Sequence, residues 1–484
     1  MSIAVARPGA RAGMELGKPV DLDISGAWVV DPATGRQGAA DIVVRDGLLE
    51  AVTWLEPAAD AAVASDVGIV VAPGFIDLHA HLREPGNELA ETIATGLAAA
   101  AHGGFTTVCA MPNTTPPVDH AAMVVAGRAA AAESGSPVRL VQLGAATLGR
   151  AGEQLAPLGE LADAGVAGFS DDGSPVQHPD LFRNALAYAG MLGLPLIDHP
   201  EDLSLTSGAE AHDGIVATVL GLKGWPAAAE ANAVARDIAL LESVLSDVPG
   251  ARLHLTHLST AAAVALVRRA KDAGLPVTCD VTPHHLTLTD EWLAGSRRWA
   301  WAALGEDGTA RDPWRDRALV ATPYDAALRV NPPLRSVADA AACREALLDG
   351  TADAIATDHA PHTSVDKDVE FGLAANGISG IETALGVVLA MVDAGLVPLA
   401  RVLESLTIGP ARVLGSGWGD RPVPGLVDGA SADLVVFDRS ESWTVAPGAL
   451  ASRGKNTPLA GRELAGRVLL TVADGRVAYQ APAD

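Results

Sequence analysis

A chain of 484 residues, 49% apolar and 19% charged, can bury sizeable cores, which excludes global disorder and allows either two or three domains or one large barrel with a small partner. Its 34 basic and 59 acidic residues give a net charge of −25, which argues against a nucleic-acid or anionic-membrane partner and leaves any anionic substrate to a few local cations. Cys109, Cys279 and Cys343 are too far apart for a C-x-x-C site and odd in number, so no disulfide framework is expected and a reducing cytoplasm fits best.

Residues 1–19 read as a disordered tail. Met1 to Gly13 carry arginines and no acids, and lack the apolar segment of a secretory signal; Met14 is an alternative start. From Val20 to Val71, short apolar runs are separated by the turn signals Asp31-Pro32, Thr34-Gly35 and Asp46-Gly47, which predicts strands. Asp433 to Phe437, Arg467 to Val472 and Val477 to Tyr479 read the same way, with Asp474-Gly475 as a hairpin turn. The two β-rich ends predict one small β-sandwich domain built from 20–72 and 415–484.

The middle, 73–414, alternates β-branched runs with helical stretches such as Ala90–Ala101, Ala121–Ser134 and Ala261–Ala273. Candidate strands end near His79, Cys109, Leu143, Ser170, His199, His257, Asp280 and Thr357. Eight such units predict an α/β fold of the closed (β/α)8 TIM-type barrel. No G-x-G-x-x-G follows a strand, so a dinucleotide site has no support. Residues 291–327 break the alternation and read as an inserted loop. Thr383 to Val392, bounded by Glu382 and Asp393, is too short to span a bilayer and reads as a buried helix.

Histidines and acids gather at the predicted strand ends, which form the catalytic face of such a barrel. His79 and His81, two apart on a strand, share a face and can grip one metal, with Asp77 behind them. Asp171-Asp172-Gly173 either caps a turn or supplies a ligand. His199 ends the fifth strand. His254 and His257 point to opposite faces; His257, nearer the strand end, is taken as the ligand and His254 as structural. Asp358 can bind metal and shuttle a proton. Imidazoles with carboxylates suit zinc, with manganese or cobalt as substitutes, and such centres activate water and polarise carbonyls. The chemistry is hydrolytic.

The string from Pro73 to Gly86, PGFIDLHAHLREPG, resembles the signature of the dihydroorotases, within the amidohydrolase superfamily. So do Met111-Pro112-Asn113-Thr114, Thr282-Pro283-His284-His285, Asn331 to Arg335 and Ala356 to His362. The resemblance runs from about Val20 to Gln480 and is greatest to the class I bacterial enzymes. These interconvert N-carbamoyl-L-aspartate and L-dihydroorotate, the third step of pyrimidine biosynthesis. It implies one or two Zn2+ per chain, two being expected. His79 and His81 would hold the first, His199 and His257 the second, and Asp172 would bridge them. Asp358 would be a ligand and the catalytic acid/base. Arg83, Asn113 and His362 would hold the substrate carboxylate, Asn331 another part of the substrate, and Asn376 and Gly377 the pyrimidine ring. A guanidinium at Arg83 suits a carboxylate, because it can pair two oxygens at once. A homo-oligomer is expected, and association with aspartate transcarbamoylase is left open. The insertion is longer than the family pattern, and Asn376 is more polar than the usual residue there.

Two alternatives stand beside this one. Hydantoinases, dihydropyrimidinases and allantoinases bridge their metals with a carboxylated lysine. The chain's lysines are Lys18, Lys223, Lys271, Lys367 and Lys455, none at the end of the fourth strand. A non-catalytic scaffold for aspartate transcarbamoylase would have lost ligands, whereas every ligand position here is filled.

Overall fold

The structure is a computed structural model that describes residues 15–55, 68–295, 314 and 322–482. At the N-terminal end lie β1 (Leu22–Asp31), β2 (Arg36–Arg45), β3 (Leu48–Trp54) and β4 (Ile69–Pro73). Then come β5 (Phe75–Ala80), β6 (Phe105–Ala110), β7 (Arg139–Gln142), β8 (Leu196–Asp198), β9 (Ala211–His212) and β10 (Gly224–Trp225). β11 (Leu253–Leu255), β12 (Val277–Val281) and β13 (Ala354–Ile355) follow, and after them β14 (Leu434–Thr444), β15 (Glu463–Ala473) and β16 (Arg476–Gln480).

Strands from both ends form one seven-stranded sheet in the order β16-β15-β14-β4-β1-β2-β3. β4 is the junction: antiparallel to β14, with Val71 opposite Val436, and parallel to β1, with Val70 opposite Trp28. Gly38, Ala40, Ile42 and Val44 of β2 are buried while their neighbours are not, the alternation of an antiparallel strand with one packed face. Asp46-Gly47 and Asp474-Gly475 turn the chain with positive φ at all four residues, as a two-residue hairpin turn requires. The sheet is continuous, and register breaks between Ile24 and Ala27 and between Val436 and Phe437 let it bend. Val44 and Val477, from strands far apart in the sheet, thus share one apolar cluster. Trp28, Val70, Val435 and Phe437 join the main core instead.

The middle of the chain is parallel. β5, β6 and β7 form one sheet, and β8, β11, β12 and β13 another. All six residues of β5 are buried, as expected for a strand covered on both faces. Single parallel bridges join the two sheets at Gly144–Phe169, Phe169–Leu196 and Ala80–His359. The fourth strand expected to end at Ser170 is reduced to Phe169. Its N–H bonds to the carbonyl of Pro195, and proline has no N–H to extend the ladder.

Helices cover these strands. Ile93–His102 starts from a capping box at Thr92, Ala121–Ser134 stands as expected, and Ala261–Asp272 is capped by Thr260. Ala384–Asp393 is a helix with most residues buried. Among the described residues no helix is long and apolar enough to cross a membrane. Residues 1–14 of the expected tail, Met14 included, and residues 296–313 and 315–321 of the expected insertion lie outside the described residues. Trp314 packs edge-on against Trp292, ring centroids 6.1 Å apart.

Candidate metal centre

The candidate ligands follow the C-terminal ends of neighbouring parallel segments. His79 is on β5 and His81 just beyond it, Asp172 follows the bridge at Phe169, His199 follows β8, His257 follows β11 and Asp358 follows β13. All six are buried. Arg83, His257 and Asp358 have φ of 59°, 42° and 48°, the left-handed region that side chains rarely occupy, at about 1–3 kcal/mol each. The surrounding hydrogen bonds must hold them there.

The six side chains converge around Asp172. Its Oδ1 lies 3.4 Å from His79 Nε2 and 3.6 Å from both His199 Nδ1 and His257 Nε2, while Oδ2 is 3.7 Å from His81 Nε2. Asp358 Oδ1 lies 3.1 Å from His81 Nε2 and 3.6 Å from His79 Nε2. His79 and His81 face each other through Nε2 at 3.2 Å, and His199 Nδ1 faces His257 Nε2 at 2.8 Å. His79, Asp172 and His257 form one group able to hold a metal ion, and His79, His81 and Asp358 another.

The far nitrogens show whether a cation fits. His81 Nδ1 is 2.9 Å from the amide oxygen of Asn113, an acceptor, so Nδ1 carries the proton and Nε2 is a lone pair. His199 Nε2 donates to Glu201 Oε2 at 2.9 Å, which leaves a lone pair on Nδ1. Asp172 Oδ1 is buried with no hydrogen-bond partner. Lone pairs and a carboxylate oxygen thus converge on one space, and a divalent cation satisfies them together.

Without a cation, protons take its place. Burial alone would raise both carboxyls and lower both imidazoles. The mutual attraction overrides it: Asp172 and Asp358 are held below the usual carboxylate range, while His79 is pushed up to about 9 and His199 to about 10. The cluster draws positive charge.

Asp171 turns away from the cluster, accepting the N–H groups of Ala146 and Thr147 at 2.9 and 3.1 Å. Asp77, expected behind the two rings, instead accepts the N–H of His79 at 3.2 Å and bonds to Thr357. It ties β5 to the segment after β13. His254 places Nε2 2.8 Å from Asp280, and not in the cluster.

Beside the cluster, Arg83 Nε donates to the carbonyl of Pro361 at 3.1 Å, and its Nη2 lies 3.2 Å from His362 Nε2. Burial and Arg83 push His362 down to about 3, so it is neutral. His362 Nε2 donates to the carbonyl of Asn376 at 2.8 Å, and the Asn376 side chain is exposed. The Gly377 N–H is bonded to the Arg329 carbonyl at 2.9 Å, and its own carbonyl accepts from Asn456 Nδ2 at 2.9 Å. Asn331 Nδ2 donates to Glu201 Oε2 at 3.0 Å, and its Oδ1 is buried without a partner.

Sequence reasoning missed Glu201, which holds His199 and Asn331 together, and Arg150, which bonds to the Asp172 carbonyl and, at 3.0 Å, to Ser174 Oγ. Glu201 was in view only as the second residue after His199, an offset that puts both on one side of an extended strand.

A family profile described as Dihydro-orotase-like matches residues 68–263. The chain is 48% identical over 462 residues to a protein of Anaeromyxobacter dehalogenans named dihydroorotase, covering 95% of this chain and 98% of that one. A protein of the same name from Pelotomaculum thermopropionicum is 45% identical over 460 residues, covering 95% and 98%. Among solved structures, the L-hydantoinase (dihydropyrimidinase) of Arthrobacter aurescens superposes with a TM-score of 0.75 at 23% identity, covering 95% and 96%. The dihydropyrimidinase of Brevibacillus agri gives 0.70 at 20%, covering 94% of each chain. At such identities these structures speak for the fold alone: an α/β architecture with a β-rich N-terminal part.

Proposed function

The chain belongs to the dihydroorotase family, and from that premise we propose that it interconverts N-carbamoyl-L-aspartate and L-dihydroorotate in pyrimidine biosynthesis. One observation carries the reading: four histidines and two carboxylates meet within contact distance, with the Arg83 guanidinium at their side. In this reading the parallel segments close into a (β/α)8 barrel over residues 73–414, and 20–72 with 415–484 make the β domain. The enzyme acts in the cytoplasm.

His79, His81 and Asp358 would hold one Zn2+ and His199 and His257 a second, with the Asp172 carboxylate in reach of both groups. Bound there, zinc lowers the pKa of water and polarises a carbonyl. Arg83 pairs with the substrate carboxylate, joined by the Nδ2 of Asn113, whose Oδ1 is occupied by His81. The unpartnered Oδ1 of Asn331 accepts a substrate N–H. Asp358 turns Oδ1 to the two histidines, and its second oxygen takes the proton of the attacking water and returns it to the leaving ring nitrogen. In closure it starts protonated and works in reverse.

A carboxylated lysine has no support, since among the described residues no lysine hydrogen-bonds to a member of the cluster. Comparing the hydrolysis of dihydroorotate with that of dihydrouracil and hydantoin, which lack the carboxylate, tests the reading. Dihydroorotate should be strongly preferred; equal rates on all three would overturn the substrate assignment.

A further inference from the structure

We propose that Asp280 and Thr256 are positioning residues that fix the tautomer of His79, so that a lone pair and not a proton faces the metal position. The inference rests on the metal reading above. Asp280, on β12, is fully buried. Its Oδ2 accepts from His254 Nε2 at 2.8 Å and from the Thr256 hydroxyl at 3.1 Å, and its Oδ1 accepts the N–H of His257 at 2.7 Å. A hydroxyl has one proton to give. Thr256 gives it to Asp280, so toward His79 Nδ1, 2.8 Å away, Thr256 can only accept. The ring proton of His79 therefore sits on Nδ1, and Nε2 is the lone pair aimed at His81, Asp172 and Asp358.

His254 makes the arrangement rigid. Its Nδ1 lies 2.9 Å from Thr278 Oγ1, so the imidazole is held at both nitrogens against Asp280. The same carboxylate anchors the main chain of His257, whose φ of 42° is not self-sustaining. One buried acid thus orders a histidine from each proposed zinc position, and this gives His254, which is no ligand, a reason to be there.

The variants are Thr256→Val, which removes the hydroxyl at constant size, Thr256→Ser, which keeps it, and Asp280→Asn. The asparagine presents N–H groups to His254 and Thr256. Thr256 must then point its proton at His79 Nδ1, and the ring proton moves to Nε2. Zinc affinity is measured by chelator competition on the whole protein. The protonated nitrogen of His79 is read by long-range 15N NMR on histidine-labelled protein, with the signal assigned by its loss in His79→Gln. Zinc affinity should fall about 10- to 100-fold in Thr256→Val and Asp280→Asn. Thr256→Ser should keep the parental value, and Asp280→Asn should move the proton to Nε2. Parental zinc affinity in both weakened variants, or a parental His79 protonated at Nε2, would overturn the proposal. If Asp280→Asn does not fold, the Thr256 pair decides alone. A parent that binds no zinc would sink the metal reading, whereas a parent that binds zinc no more tightly than Thr256→Val and Asp280→Asn would sink this proposal alone.

Discussion

Asp77 and Thr357 join the first and last of the central parallel strands: the Asp77 carboxylate accepts both the N–H of Thr357, at 2.8 Å, and its hydroxyl, at 2.5 Å. Asp77 sits two residues before His79 and Thr357 one before Asp358, so this contact sets the distance between two candidate ligands. Asp77→Ala leaves buried donors on Thr357 and His79 unpaired. At about 1–3 kcal/mol per lost partner, we expect a stability loss of about 2–5 kcal/mol in urea unfolding.

Arg83→Met should weaken dihydroorotate and carbamoyl-aspartate by about 2–5 kcal/mol, because it leaves a buried carboxylate unpaired. The effect should fall on KM and kcat/KM for these substrates and leave zinc content at the parental value. Steady-state kinetics with parallel metal analysis checks both.

Asp358→Asn keeps the size and one ligand oxygen but cannot carry a proton. Turnover should fall strongly in both directions with KM little changed. Ring closure turns a dianion into a monoanion and consumes one proton, so acid favours closure and alkali favours opening. The parental rate profiles in the two directions should accordingly be opposed in pH.

Lys367 donates to the carbonyls of Ala326 and Arg329 at 2.9 and 3.2 Å. Burial, aided by Arg329, pulls its amine down to about 7. An unfolded lysine titrates near about 10.4. Between these values the unfolded chain holds the extra proton, so this residue makes stability rise with pH from about 7 to 10. Urea midpoints at pH 7 and pH 9 should rise more in the parent than in Lys367→Met.

What was legible in the sequence was what lies close along the chain. His79 and His81 read as a pair because a strand puts alternate residues on one face, and the same alternation separated His257 from His254. What stayed hidden depends on residues brought together from afar. Asp280 meets Thr256 only across two strands, and Glu201 meets Asn331 only across much of the central region. The choice of Asp172 over Asp171 needed the family pattern, since the two acids differ only in which loop they face. The fourth strand pairs on both sides at Phe169 but is short, because Pro195 has no N–H to lengthen its ladder, and no local pattern around Ser170 reveals that neighbour. That the β-rich ends share one continuous sheet was hidden as well, because it rests on β4 pairing with β1 on one side and β14 on the other.

The most direct test of the account joins metal to turnover in one preparation. Purified protein is analysed for zinc and assayed for dihydroorotate hydrolysis before chelation, after chelation and after zinc is returned. The account predicts one to two zinc ions per chain, loss of hydrolysis on their removal and recovery on their return. Full hydrolysis by metal-free protein, or none by zinc-loaded protein, would contradict it.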